Sequence, residues 1–178
     1  MIEKLGSLTL CVLSAIGSCA WAKDLPDACG DDAIHFHVTT QPGGPLSAPP
    51  PAHARVVFIE SVDRDFCLGC EPITTRVAID GVWVGANNDH SYFVADVSPG
   101  RHQVCADWQR LVFLKIHVDS FTAEAGKTYF YLVRVTNRAS RAPDARDREE
   151  KIRLYPLDDS QAHFLLKDAD LSAASVYR

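Results

Sequence analysis

Two pairs of residues in this chain have the spacing to do chemistry. Cys67-Leu68-Gly69-Cys70 places two thiols three positions apart. Before a helix N-terminus that arrangement supports thiol–disulfide exchange, because the helix end stabilises a thiolate. Here Pro72 and a strand-like segment follow, and structural zinc would need a second Cys or His pair at matching spacing. His35-x-His37 puts two imidazoles on one face of an extended segment, a start for a metal site if a third ligand comes near. Other constellations fall short. There is no Gly-x-Ser-x-Gly elbow. Lys127-Thr128 after Gly126 lacks the earlier glycine of a phosphate loop, and Asn87-Asn88-Asp89 offers too few oxygens for calcium. No catalytic residue, cofactor or resident metal is therefore assigned, and the expectation is a protein that is not an enzyme.

The cysteines take their meaning from the compartment. Lys4 precedes an apolar run from Leu5 to Ala22 that closes on Ala20-Trp21-Ala22, small residues around a variable one. That is the pattern of a cleavable signal peptide over residues 1–22, too short for a membrane span. Ile16-Gly17-Ser18-Cys19 offers a second reading, a lipobox in which Cys19 is lipidated and becomes the anchor. Cleavage after Ala22 leaves 178 − 22 = 156 residues and a net charge of −5, since Glu3 and Lys4 cancel. A mildly acidic domain lacks the basic face that nucleic acid requires. Six cysteines become four, Cys29, Cys67, Cys70 and Cys105, an even set that suits disulfides in an exported protein.

Short strands must position all of this. Residues 23–53 read as an N-terminal arm, with an edge strand at Ala33–Val38, followed by a connector of Pro, Gly, Ser and Ala. Ala54–Glu60 is an apolar run of strand length, buried on both faces. Thr75–Trp108 alternates apolar and polar residues, cut at Asp80-Gly81, Asn87-Asn88 and Pro99-Gly100, which predicts a β-meander. Pro99-Gly100 suits a type II turn with positive φ at the glycine. Further strands are expected at Leu111–Val118, Tyr129–Thr136 and Ile152–Leu157, with a charged loop over Asn137–Lys151. Asp158 caps a short helix running through Lys167, and residues 168–178 read as a frayed tail. Trp83, Trp108 and Tyr92 are assigned to the core. The expected fold is an all-β, antiparallel two-sheet sandwich of seven or eight strands over residues 54–167, with one short C-terminal helix.

Val77-Ala78-Ile79-Asp80-Gly81-Val82-Trp83-Val84-Gly85, Ser91-Tyr92-Phe93, Val97-Ser98-Pro99-Gly100-Arg101-His102 and Ala123-Glu124-Ala125-Gly126-Lys127-Thr128-Tyr129-Phe130 carry a resemblance. The chain resembles the bacterial domain-of-unknown-function family numbered 2846, made up of exported proteins and lipoproteins. Its turn pattern is also similar to PEGA-type and transthyretin-like sandwich modules. The resemblance implies an exported β-sandwich with no established chemistry and no catalytic residues to carry over.

Together these readings point to a non-catalytic cell-envelope module, periplasmic or extracellular, that binds a protein or another envelope component. A metal-dependent or redox protein using His35 and His37, or Cys67 and Cys70, is the alternative, and a structural lipoprotein anchored through Cys19 is another. A bridge across two intervening residues closes too small a loop to remove much chain entropy. The four cysteines are therefore expected to pair over long range: one of Cys67 and Cys70 with Cys105, the other with Cys29, the choice between them open.

Overall fold

Alternating apolar and polar residues form ten strands and one helix among the residues described by the structure, a computed structural model: 25–64, 72–109, 116–139 and 148–177. In chain order they are β1 (His35–Gln41), β2 (Ala54–Arg64), β3 (Thr74–Ile79), β4 (Val82–Asn88), β5 (Ser91–Val97), β6 (Gly100–Trp108), β7 (Ile116–Ala123), β8 (Thr128–Ala139), β9 (Arg148–Leu157), α1 (Asp159–Leu166) and β10 (Asp170–Tyr177). They make two sheets, one ordered β1-β10-β5-β2-β8-β9 and one ordered β4-β3-β6-β7.

The larger sheet is mixed, which corrects the expectation of antiparallel pairing throughout. β2 runs parallel to β8 from Arg55↔Thr128 to Arg64↔Asn137, and β10 runs parallel to β5 at Ser91 and Tyr92. Parallel neighbours need a long crossover. The chain supplies one by building the whole smaller sheet, together with β5, between β2 and β8. The segment read as a meander is accordingly divided. β3 and β4 form a hairpin on Asp80 (φ 50) and Gly81 (φ 79), both left-handed as a two-residue turn requires. β5 then belongs to the other sheet, and β6 returns to pair with β3. The second reversal falls at Asp89 (φ 32) and His90 (φ 49), two residues beyond the expected Asn87-Asn88. Pro99-Gly100 is a passage between sheets, with Gly100 at φ 140, not a hairpin turn.

Three apolar layers result. Between the sheets lie Val56 and Phe58 of β2, Val77 and Ile79 of β3, Val104, Ala106 and Trp108 of β6, and Val133 and Val135 of β8. The outer face of the larger sheet buries Val57, Ile59, Tyr92 and Phe130 beneath Leu46 of the connector and Ala162, Leu165 and Leu166 of α1. β2 is thus buried on both faces along Val56–Ile59, its stretch of consecutive apolar residues. The outer face of the smaller sheet buries Ala78, Trp83 and Cys105 beneath Leu25, Ala28 and Cys29 of the arm. Trp83, Trp108 and Tyr92 are all core residues.

The chain ends differ from expectation. Asp158 caps α1 with a full capping box, its carboxylate accepting from the Gln161 amide, so the helix forms as read. The segment read as a frayed tail is β10, joined to β1 by antiparallel pairing from His35↔Tyr177 to Gln41↔Leu171. Its weak apolar pattern hid it, because this ribbon is exposed along most of its length. The charged loop is shorter than expected: β8 continues to Ala139 and β9 begins at Arg148. Among the described residues, no helix is long and apolar enough to cross a membrane.

Two glycines should resist substitution for different reasons. A Cβ on Gly85 would lie 2.6 Å from the Phe93 ring, so Gly85→Ala should cost about 1–3 kcal/mol through overpacking. Gly100 has open space around it but a left-handed φ, so Gly100→Val should cost about 1–3 kcal/mol from backbone strain alone. Urea midpoints check both. A pseudo-wild-type midpoint for Gly85→Ala would mean that the two sheets are not in close contact there.

Candidate functional site

The arm is held on the smaller sheet by a charge and a covalent bond. Arg76 of β3 is 1 % exposed, and its Nε and Nη2 lie 2.9 and 2.8 Å from a carboxylate oxygen of Asp107, its cross-strand partner on β6. The same guanidinium donates to the Asp32 carboxylate at 2.6 Å and to the carbonyls of Asp32 and Ile34. It also sits over the Trp83 ring at 4.3 Å, while Trp83 Nε1 donates to the Asp31 carbonyl. A buried guanidinium needs this many partners to offset its lost hydration.

Cys29 is bonded to Cys105, 76 positions away. That corrects the expected pairing, in which both would have been joined to Cys67 and Cys70. Arg76 and its partners lay the arm directly across β6, so Cys29 reaches Cys105 without an intermediary. Cys67, Cys70, Cys19, Ala20 and Ala22 lie outside the described residues. The His35 ring stacks on Tyr177 at 5.7 Å, and the His37 carbonyl accepts from Ser175 Oγ, so both histidines belong to the β1–β10 ribbon. Among the described residues, no group of three or more His, Cys, Asp and Glu is placed to hold a metal ion.

The outer face of the larger sheet carries a built cleft. Arg55 is 9 % exposed, donates twice to Asp96 at 2.8 and 3.0 Å, and spends its remaining Nη1 on the Ser47 carbonyl and hydroxyl, both at 2.6 Å. The hydrogen bond to Asp96 raises the Arg55 pKa and its burial opposes that, so the charge is permanent. The connector is thereby pinned as one wall, Leu46–Pro49, with Asp159 and His163 of α1 on the other side and Thr128 and Phe130 between. The cleft is open to solvent, with a volume of about 580 Å3.

A second feature lies between the sheets and was not read from the sequence. Asn87, Thr75 and Trp108 stand in one row across β4, β3 and β6, with Thr75 directly opposite both others. All three are buried, and Asn87 Nδ2 crosses the interior to donate to the Phe58 carbonyl at 3.1 Å. Glu60, two residues along β2 from Phe58, is also buried. The sequence signal was the polar end of each apolar alternation: Thr75 before Val77, Trp108 after Ala106, Glu60 after Phe58.

Two histidines brace the smaller sheet with opposite charge preferences. His102 Nδ1 lies 2.6 Å from Asp80 and Nε2 lies 2.8 Å from the Ser98 carbonyl. Burial disfavours its charge, but these two acceptors and the Asp80 charge outweigh it and raise the pKa above 6.5. His117 Nδ1 instead accepts from the Leu154 amide at 3.1 Å, linking β7 to β9 across the sheets. Burial and the Arg153 charge lower its pKa below 6.5.

By linkage, the His102 contribution is complete below its unfolded pKa of about 6.5 and is lost as pH rises through its folded pKa. The His117 contribution is complete above about 6.5 and is lost as pH falls toward its folded pKa. Stability measured by urea unfolding between about pH 5 and 9 should therefore fall on both sides of the histidine range, and His102→Gln should remove the fall on the alkaline side. An unchanged alkaline limb in that variant would show that His102 is neutral when folded. Cys105→Ser should lower stability by about 2–4 kcal/mol under oxidising conditions, and its difference from the parent chain should shrink in excess reductant to the smaller cost of a buried hydroxyl. No protein-family model matches the chain, nor does any curated protein or any solved structure.

Proposed function

We propose that this protein is a non-catalytic, exported cell-envelope module, periplasmic or extracellular, that binds a protein or another envelope component. The observation that carries the reading is the cleft on the larger sheet. A buried arginine fixes its connector wall, and a domain that invests such a residue in a surface segment is presenting a shape. The Leu5–Ala22 segment and the Cys29–Cys105 bridge support export, because disulfides persist in oxidising compartments.

A photoreactive residue at Ala48 tests the cleft in cells. It should cross-link to one discrete envelope species, while the same residue at Val118, exposed on β7 of the other sheet, should not. Equal cross-linking from both positions would remove the cleft from the argument. Mass spectrometry of the purified mature chain tests the location. A start at Lys23 supports signal-peptide cleavage, a lipidated Cys19 makes the protein an anchored one, and an intact Met1 contradicts export.

One observation favours a second reading. With Cys29 joined to Cys105, the long-range partners expected for Cys67 and Cys70 are taken. A redox protein using Cys67 and Cys70 as a Cys-x-x-Cys couple is therefore the second reading we propose. Non-reducing peptide mapping at defined glutathione ratios distinguishes the readings: a Cys67–Cys70 bridge that opens reversibly while Cys29–Cys105 stays closed supports redox chemistry.

A further inference from the structure

The row Asn87–Thr75–Trp108 holds more hydrogen-bonding capacity than the protein uses. Thr75 Oγ1, Asn87 Oδ1 and Trp108 Nε1 are each buried and make no hydrogen bond to any of the described residues. They belong to the same row of the smaller sheet, directly opposed across two strand pairs, and face the larger sheet. Directly opposed residues have Cβ atoms about 4.5–5.5 Å apart, so a small group bound at the central Thr75 lies beside both Asn87 and Trp108. Buried polar groups in folded proteins nearly always have a partner, and three orphans side by side indicate a common one.

The chemistry of the row selects that partner. Trp108 Nε1 only donates, Asn87 Oδ1 only accepts, and the Thr75 hydroxyl does either. An anion would face the Asn87 carbonyl oxygen and the nearby buried Glu60 carboxyl, and a bare cation would face the Trp108 N–H. A small neutral group that accepts from the indole and donates to the amide oxygen is a hydroxyl. We infer that the interior row Asn87–Thr75–Trp108 is a binding site for a neutral hydroxyl oxygen, supplied either by a long-lived water or by a small polyol. The site is separate from the surface cleft, and its test does not depend on any partner found there.

The Trp108 indole proton reports directly. In the full mature chain labelled with 15N, Trp108→Phe identifies its Nε1–H signal. In dilute buffer that proton should show cross-relaxation with a long-lived water, and Thr75→Val should abolish it while Thr75→Ser retains it. Titration with glycerol separates the two sources. A saturating shift of the Trp108 signal, roughly tenfold weaker in Thr75→Val, assigns the site to a polyol hydroxyl. A persistent water cross-peak with no saturating shift assigns it to water. The Trp83 Nε1–H, which donates to the Asp31 carbonyl, should be unaffected by any Thr75 variant and shows that the fold is intact. A folded protein whose Trp108 proton shows neither the water cross-peak nor the shift overturns the inference.

Discussion

A guanidinium buried inside a protein has to be neutralised and hydrogen-bonded, and the Arg76 side chain imposes that condition on this fold. One partner, Asp107, comes from the neighbouring strand, which an isolated sheet could supply. The rest comes from Asp32 and the backbone at Asp32 and Ile34, which only a folded-back N-terminal arm can supply. Leaving such a charge without its partners costs several kcal/mol, so the arm is not an optional cover. Once Arg76 fixes the arm, Trp83 gains a carbonyl for its indole N–H, Cys29 meets Cys105, and Ala78, Trp83 and Cys105 of the smaller sheet are buried beneath it.

The larger sheet solves the same problem with other material. Its outer face carries Val57, Ile59, Tyr92 and Phe130, too much apolar surface to leave in water. Arg55 draws the connector over one part of it, and α1 covers another. The order from outside to outside is arm, smaller sheet, larger sheet, connector with helix. Segments before the first long strand and after the last one supply both covers, so the parts of the chain that look least structured complete its cores. The β1–β10 ribbon extends this by pairing the two ends with each other and adding them to β5.

The cleft arises from that covering. A connector held by one arginine against a helix leaves a gap, and the gap is lined by residues from three separate segments, the connector, the start of β8 and α1. The interior row has a different origin. Thr75, Asn87 and Trp108 each end an otherwise apolar alternation, so the core changes from apolar to polar at one end of the sheet pair. Dry, each orphan would cost about 1–3 kcal/mol, a penalty that the packing around Phe58 and Val77 would have to offset.

Local physics made much of this readable from the sequence. The Asp80-Gly81 turn follows from two residues that tolerate left-handed φ, and α1 follows from the Asp158 capping box. The double burial of Val56–Ile59 follows from four consecutive apolar residues, and Trp83, Trp108 and Tyr92 are core residues, as their types suggest. Alternation with period two assigns each residue to a face, but it says nothing about which strand lies alongside. That choice belongs to tertiary structure, which put β5 with β2 in one sheet and β6 with β3 in the other, and set β8 parallel to β2. The Cys29–Cys105 bond depended on where Arg76 lays the arm, a distance relation that cysteine spacing does not contain. The strand at Asp170–Tyr177 exists because β1 offers it an edge, and its exposed side chains carry no alternation that would announce it. The polar row exists because three strands bring Asn87, Thr75 and Trp108 abreast, which no single strand encodes.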